Sequence, residues 1–134
     1  MRQVLVFSIL LSALAWLAGC KSEDSFRHPP PATLAGKWVN PADGSTLNFQ
    51  DNNRFELLVP GDKPRHLTGW AYYPQSGHVS LEFDSRLSLC SGTTGIYTYK
   101  RDDGILTLSA VQDDCPERKQ MVDATWEPES SGLF

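Results

Sequence analysis

Ile96-Tyr97-Thr98-Tyr99-Lys100-Arg101-Asp102-Asp103-Gly104-Ile105-Leu106-Thr107-Leu108-Ser109-Ala110-Val111 holds two runs rich in β-branched, aromatic and aliphatic residues, separated by Asp-Gly. Such runs suit a pleated, half-buried surface. Asp-Gly between them supplies the positive φ angles that a tight hairpin turn requires. The stretch therefore predicts two paired strands, Ile96 to Arg101 and Ile105 to Val111, closed at Asp102-Asp103-Gly104.

Outward from this hairpin the same grammar repeats. On the N-terminal side, His78 to Phe83 alternates with Val79, Leu81 and Phe83 on one face, behind a turn at Pro74-Gln75-Ser76-Gly77. The preceding run, His66 to Tyr73, is a longer strand, and Pro60 to Pro64 is a loop. Arg54 to Val59 places Phe55, Leu57 and Val59 together, and Asp51-Asn52-Asn53 turns it back on Thr46 to Gln50, where Leu47 and Phe49 share a side. Gly36 to Val39 opens the series. Arg86 to Leu89 reads as a short extra strand, and Gln120 to Trp126 as the last one. No window keeps a helical period over three turns. Short strands at this spacing predict an all-β domain, and closure into a small antiparallel meander barrel of about eight strands removes the edges that invite aggregation.

The N-terminus is of another kind. Val4 to Leu17 is a 14-residue apolar run interrupted only by Ser8 and Ser12, behind the single charge of Arg2. A span of the bilayer needs about 20 such residues, so this is the size of a secretory signal rather than an anchor. Leu17-Ala18-Gly19-Cys20 resembles the lipobox of bacterial lipoproteins at all four positions. The resemblance implies a signal peptide over 1–19, cleavage before Cys20, and lipidation of Cys20 with acyl chains, palmitate among them. Two or more chains hold a protein stably at a membrane, where one holds it marginally. Lys21 stands where aspartate resembles the inner-membrane retention signal, so the expected place is the outer membrane, facing the periplasm, in a Gram-negative envelope.

Processing would leave 115 residues with 16 acids and 11 bases, a length suited to one domain. The acid excess and the lack of a basic run argue against nucleic acid as a partner and against docking on anionic lipid by charge. An oxidising compartment lets thiols pair. With Cys20 taken by lipid, Cys90 and Cys115 are the one pair left for a disulfide. Residues 20–33, with Pro29-Pro30-Pro31, read as a lipidated terminus and semi-rigid tether. The barrel domain is expected over 34–127 and a loose tail over 128–134.

Gly36-Lys37-Trp38 on the first strand resembles the Gly-x-Trp signature of lipocalins and their smaller calycin-like relatives. The segment from Cys90-Ser91-Gly92 through Tyr97-Thr98-Tyr99 and Asp103-Gly104 to Cys115-Pro116-Glu117-Arg118 is similar to a pattern in secreted bacterial lipocalin-like domains. This resemblance implies that Gly36, Trp38 and Arg118 form the signature packing, with Arg118 lying on Trp38 as a cation–π pair. The domain is shorter than a typical lipocalin. An eight-stranded barrel is only just wide enough to be filled by side chains or to hold one small ligand.

Candidates for chemistry are few. If Tyr73 faces His78, then His66 lies about 23 Å along the sheet at 3.3 Å per residue, too far for one metal to hold both histidines. Asp113, Asp114 and Glu117 match no cation-binding loop and read as a solvated acidic turn. No acid, base and nucleophile fall together, so neither an enzyme nor a cofactor is expected. Trp70 and Tyr72 share one face of the long strand, and Leu67, Gly69, Ala71 and Tyr73 the other. If Trp70 and Tyr72 point outward they form a binding surface for a protein partner or a glycan. The expected function is a lipid-anchored binding module for a small apolar ligand or an envelope partner. The alternative is a structural or hydrolase-inhibitor-like accessory protein with a solid core.

Overall fold

The computed structural model describes residues 29–129. Eight strands follow one another round a closed antiparallel barrel: β1 Gly36–Val39, β2 Thr46–Phe49, β3 Arg54–Val59, β4 Arg65–Tyr72, β5 His78–Phe83, β6 Gly95–Asp102, β7 Ile105–Gln112 and β8 Ala124–Pro128. Closure is made by Trp38↔Pro128 and Val39↔Glu127. The expected eight-stranded meander barrel with one disulfide is what the chain forms.

The Asp-Gly turn acts as its chemistry requires. Asp102 pairs with Ile105, and the two residues between them, Asp103 and Gly104, sit at φ 51° and 79°. Further along, a bulge between Ile96 and Tyr97 shifts the register. On the β4–β5 side, Tyr72 faces Ser80 and Gly69 faces Phe83. That is one residue from the pairing of Tyr73 with His78 expected from the turn, and the reason is packing. This register sets inward Ala71 against inward Leu81, whereas the expected one sets Leu81 against outward Trp70.

Two other expectations fail for local reasons. Arg86 to Leu89 is not a strand: Ser85–Leu87 is a single 3-10 turn, and Ser88 and Cys90 at φ 47° and 52° lie outside the extended region. Gln120 to Trp126 is strand only from Ala124. The residues before it form helix α1, Pro116–Val122, with Pro at its first turn and the Cys115 sulfur accepting the Arg118 N–H at 3.3 Å. Seven residues are too few to display a period, and the inward pair four apart is Arg118 and Val122, an arginine where an apolar residue would have announced the helix.

Alternation in the strands fills the interior. Leu47, Phe49, Phe55, Leu57, Val79, Leu81, Phe83, Tyr97, Leu106, Leu108 and Trp126 are all at most 2% exposed. Trp38 and Leu34 join them, with the indole N–H of Trp38 donating to the Leu34 carbonyl at 2.9 Å. That contact draws the end of the proline segment into the fold. Pro30 is buried, and the Pro31 carbonyl accepts the N–H groups of Leu34 and Ala35 at 2.8 and 2.9 Å. The opposite end of the barrel is covered by α1 and the 84–94 linker.

Gly69 marks the tightest point of the wall. A Cβ there would run into the Glu82 carbonyl and stand 2.6 Å from the Phe55 ring. Phe55 in turn lies against Phe83, with centroids 5.9 Å apart, so it has nowhere to retreat. Gly69→Ala is therefore expected to cost about 1–3 kcal/mol, the range of overpacked cores. Urea denaturation should show it as a lower midpoint with an unchanged slope.

Candidate functional site

Two groups of polar residues stand out, one sealed inside and one on the outer wall. The sealed group lies where the linker and α1 meet the barrel. Arg118 Nε donates to Asp113 Oδ2 at 2.8 Å and Nη2 to Oδ1 at 2.6 Å, while Nη1 donates to the Thr93 carbonyl at 3.0 Å. The Tyr97 hydroxyl and the Cys115 N–H complete the carboxylate's partners. Both charged side chains are fully withdrawn from solvent. Burial alone would raise the Asp113 carboxyl. The hydrogen bonds from Arg118, Tyr97 and the Cys115 N–H outweigh it and hold the group below the usual carboxylate range. Burial, then the bond to Asp113, pushes the Tyr97 phenol up, so it stays a donor.

This arrangement corrects two expectations. Asp113 is not part of a solvated acidic turn; it is the buried counter-ion of Arg118. Nor does Arg118 lie on Trp38. Its guanidinium stands 5.4 Å from the Phe83 ring centroid, held there by Asp113 and Thr93, and the cation over Trp38 is Arg101, also at 5.4 Å. A basic residue does cross Trp38, but it comes from the end of β6 beside the Asp-Gly turn. Trp38 itself is buried, and Gly36 adopts φ 102°, where other residues are strained.

Cys90 and Cys115 are bonded to each other, with Cα atoms 5.7 Å apart. Glu117 brings a carboxylate close to both sulfurs, but the disulfide removes them as thiolate donors, so the trio is no metal site. His66 pairs with Glu56 at 3.0 Å on β3, and His78 faces Thr98 on β6, so the structure does not bring the two histidines together. Cys20, the expected signal over 1–19, and the expected tether and tail over 20–28 and 130–134 lie outside the described residues.

The outer group is built on β3, β4 and β5. Arg54, Trp70 and Glu82 occupy facing positions on the three strands, and Tyr72 is two residues further along β4. Trp70 and Tyr72 are 41% and 42% exposed, with ring planes 11° apart and centroids at 6.4 Å. The Arg54 guanidinium stacks on Trp70 at 4.4 Å. It also grips Asp84 with two hydrogen bonds, at 2.8 and 2.5 Å, and the Thr68 hydroxyl donates to the same carboxylate. The bond to Arg54 holds Asp84 below the usual carboxylate range against the effect of partial burial, and the same bond raises Arg54.

Beside the indole lies an open cleft of about 490 Å³, floored by the sheet and walled by the Ser85–Leu87 turn. A second, apolar cleft of about 500 Å³ lies around Leu58, Pro60 and Pro64 at the far end of the same strands. Of the four large hydrophobic residues exposed among the described residues, Leu58, Trp70 and Tyr72 are all on β3 and β4, and only Val111 is elsewhere. The alternation along β4 was enough to single out Trp70 and Tyr72. Arg54, Thr68 and Asp84 carried no such signal, because their meeting depends on strand pairing across 30 residues.

The fold and this wall define a small closed eight-stranded meander barrel with a side-chain-filled interior and an exposed aromatic pair on its outer face. No family model matches the chain, and comparison with curated proteins and with solved structures found no significant match.

Proposed function

We propose that the protein is a lipid-anchored binding module of the cell envelope, held at the membrane through Cys20, which takes its partner on the outer wall of β3–β5 and not in the lumen. The observation that carries this reading is the contrast between the two surfaces. Interior positions are occupied by side chains at most 6% exposed, whereas Trp70 and Tyr72 remain outside, with Arg54 stacked on Trp70 and Tyr72 stacked beside it. Tryptophan, tyrosine and arginine are the residue types that concentrate binding energy at interfaces. Holding them on a rigid sheet lowers the ordering cost of association. Anchoring supplies the other half: two or more acyl chains keep the barrel at the membrane surface, within reach of envelope molecules.

Both halves are testable in the native cell. Cys20→Ser should move the protein from the membrane fraction to the soluble one without changing its fold. A photo-crosslinking phenylalanine analogue at Tyr72 should give an adduct with an envelope molecule, and the same analogue at Lys100, on β6, should not. Absence of any adduct from position 72, or equal adducts from both, would overturn the outer-wall reading. Solvent access has its own check. Trp70→Phe should abolish the acrylamide-quenchable part of the mature chain's fluorescence, because Trp38 and Trp126 are 2% and 0% exposed.

A further inference from the structure

We infer that the cleft beside Trp70 binds a neutral saccharide, a pyranose oligomer of the envelope, an assignment that rests on the outer-wall reading above. Three observations select this chemistry. First, the lining is balanced in charge: guanidiniums of Arg54 and Arg86 stand with carboxylates of Glu82 and Asp84. Such a set has no net charge with which to draw an ion.

Second, the cleft offers donors and acceptors together. The Arg54–Asp84–Thr68 network is already bonded internally and fixes one wall. Glu82, Ser85 and Arg86, on the strand opposite Trp70 and the turn beyond it, make no side-chain hydrogen bond or salt bridge among the described residues. Ring hydroxyls, which both donate and accept, are the partners that could satisfy all three at once.

Third, the one aromatic wall has the shape for the apolar C–H face of a sugar ring. Trp70 keeps 41% and Tyr72 42% of their surface exposed. The Arg54 guanidinium lies over one part of the indole at 4.4 Å and the Tyr72 ring, just outside the cleft, is stacked with it at 6.4 Å, so the free apolar area for a sugar is shared between the two rings. The volume of about 490 Å³ lies in the range of small-ligand sites, and the open form admits a chain that runs past the cleft. The cleft at Leu58, whose lining has Thr46, Arg65 and His66 but no carboxylate and no tryptophan or tyrosine, serves as the internal control.

The experiment is a titration of the mature chain with chitotetraose, a neutral pyranose oligomer, read by tryptophan fluorescence and by amide shifts, together with co-sedimentation on purified peptidoglycan sacculi. The expected result is saturable binding with shifts confined to β3–β5 and the 84–87 segment. Trp70→Ala and Glu82→Gln should each weaken it at least tenfold. Trp70→Phe, which keeps an aromatic ring and the barrel's circular dichroism, should weaken it less, and Leu58→Ala should leave it unchanged. No saturation by the oligomer and no retention on sacculi would overturn the assignment, as would binding that Trp70→Ala and Glu82→Gln leave intact. A polypeptide adduct from position 72 without any saccharide response would overturn the saccharide and leave the outer wall as the binding surface. No adduct and no saccharide response would remove both.

Discussion

Asp113→Ala is expected to lower the unfolding free energy by about 3–5 kcal/mol, the cost of leaving a buried charge without its partner. For a domain of this size the whole net stability is about 5–15 kcal/mol, so the variant should be close to unfolding at ambient temperature. The carboxylate is the common acceptor for Arg118, Tyr97 and the Cys115 N–H, and its removal strands all three. Arg118→Met, which removes the charge and keeps much of the volume, should cost a similar amount alone by stranding Asp113. The double variant Asp113→Ala/Arg118→Met should cost less than the two singles added, because the opposite charges leave together. Urea denaturation of the four proteins checks this, and a cost below about 1 kcal/mol for Asp113→Ala would contradict the buried-pair account.

The same group fixes the sign of the response to acid. Asp113 and Asp84 are both held below the ordinary carboxylate range, so each binds its proton more weakly when folded. Their stabilisation is complete above the unfolded value of about 3.9 and is lost as pH falls below it through the folded values. Stability should therefore drop steeply below about pH 4. Asp113→Asn should flatten that drop while lying lower throughout.

Reduction of the Cys90–Cys115 bridge is expected to have the second-largest effect. The bridge spans a sequence separation of 25, and a crosslink closing a loop of that length contributes about 3.5 kcal/mol in the chain-entropy model. It ties the 84–94 linker to the start of α1, where Cys115 also caps the helix and Asp113 and Arg118 meet. In a thermal melt, Cys90→Ala/Cys115→Ala should fall by about 15–25 °C. Its effect should not add to that of Asp113→Ala, since the two share the same backbone. A shift of a few degrees would show that the linker is held by its other contacts.

The sequence made the barrel legible because strand alternation and turn chemistry are local. Asp103-Gly104 placed the β6–β7 turn to within one residue, Asp102 being the last of β6 and not part of the turn, and β1, β3 and β5 begin and end where the sequence places them. What stayed hidden depends on distance along the chain or on brevity. Helix α1 has too few residues for a period, and its inward positions are disguised by Arg118. The cation over Trp38 is Arg101 and not Arg118, a choice that rests on where β6 ends relative to β1 and on Asp113 having already claimed Arg118. The register of β4 against β5 was settled by Gly69, Ala71, Leu81 and Phe83 packing inward, which the turn composition alone did not determine. On the outer wall, Trp70 and Tyr72 were readable from the parity of β4. The Arg54–Asp84 grip that makes them a surface was not.

The proposed membrane attachment and envelope partner both rest on export and acylation at Cys20, and the oxidising compartment that the Cys90–Cys115 bond needs rests on export. Mass spectrometry of the protein purified from its native membrane tests that point directly. The expected mass is that of a chain beginning at Cys20, carrying acyl groups on that residue and lacking the two hydrogens of a Cys90–Cys115 bond. A full-length, unacylated chain of 134 residues with three free thiols would contradict it.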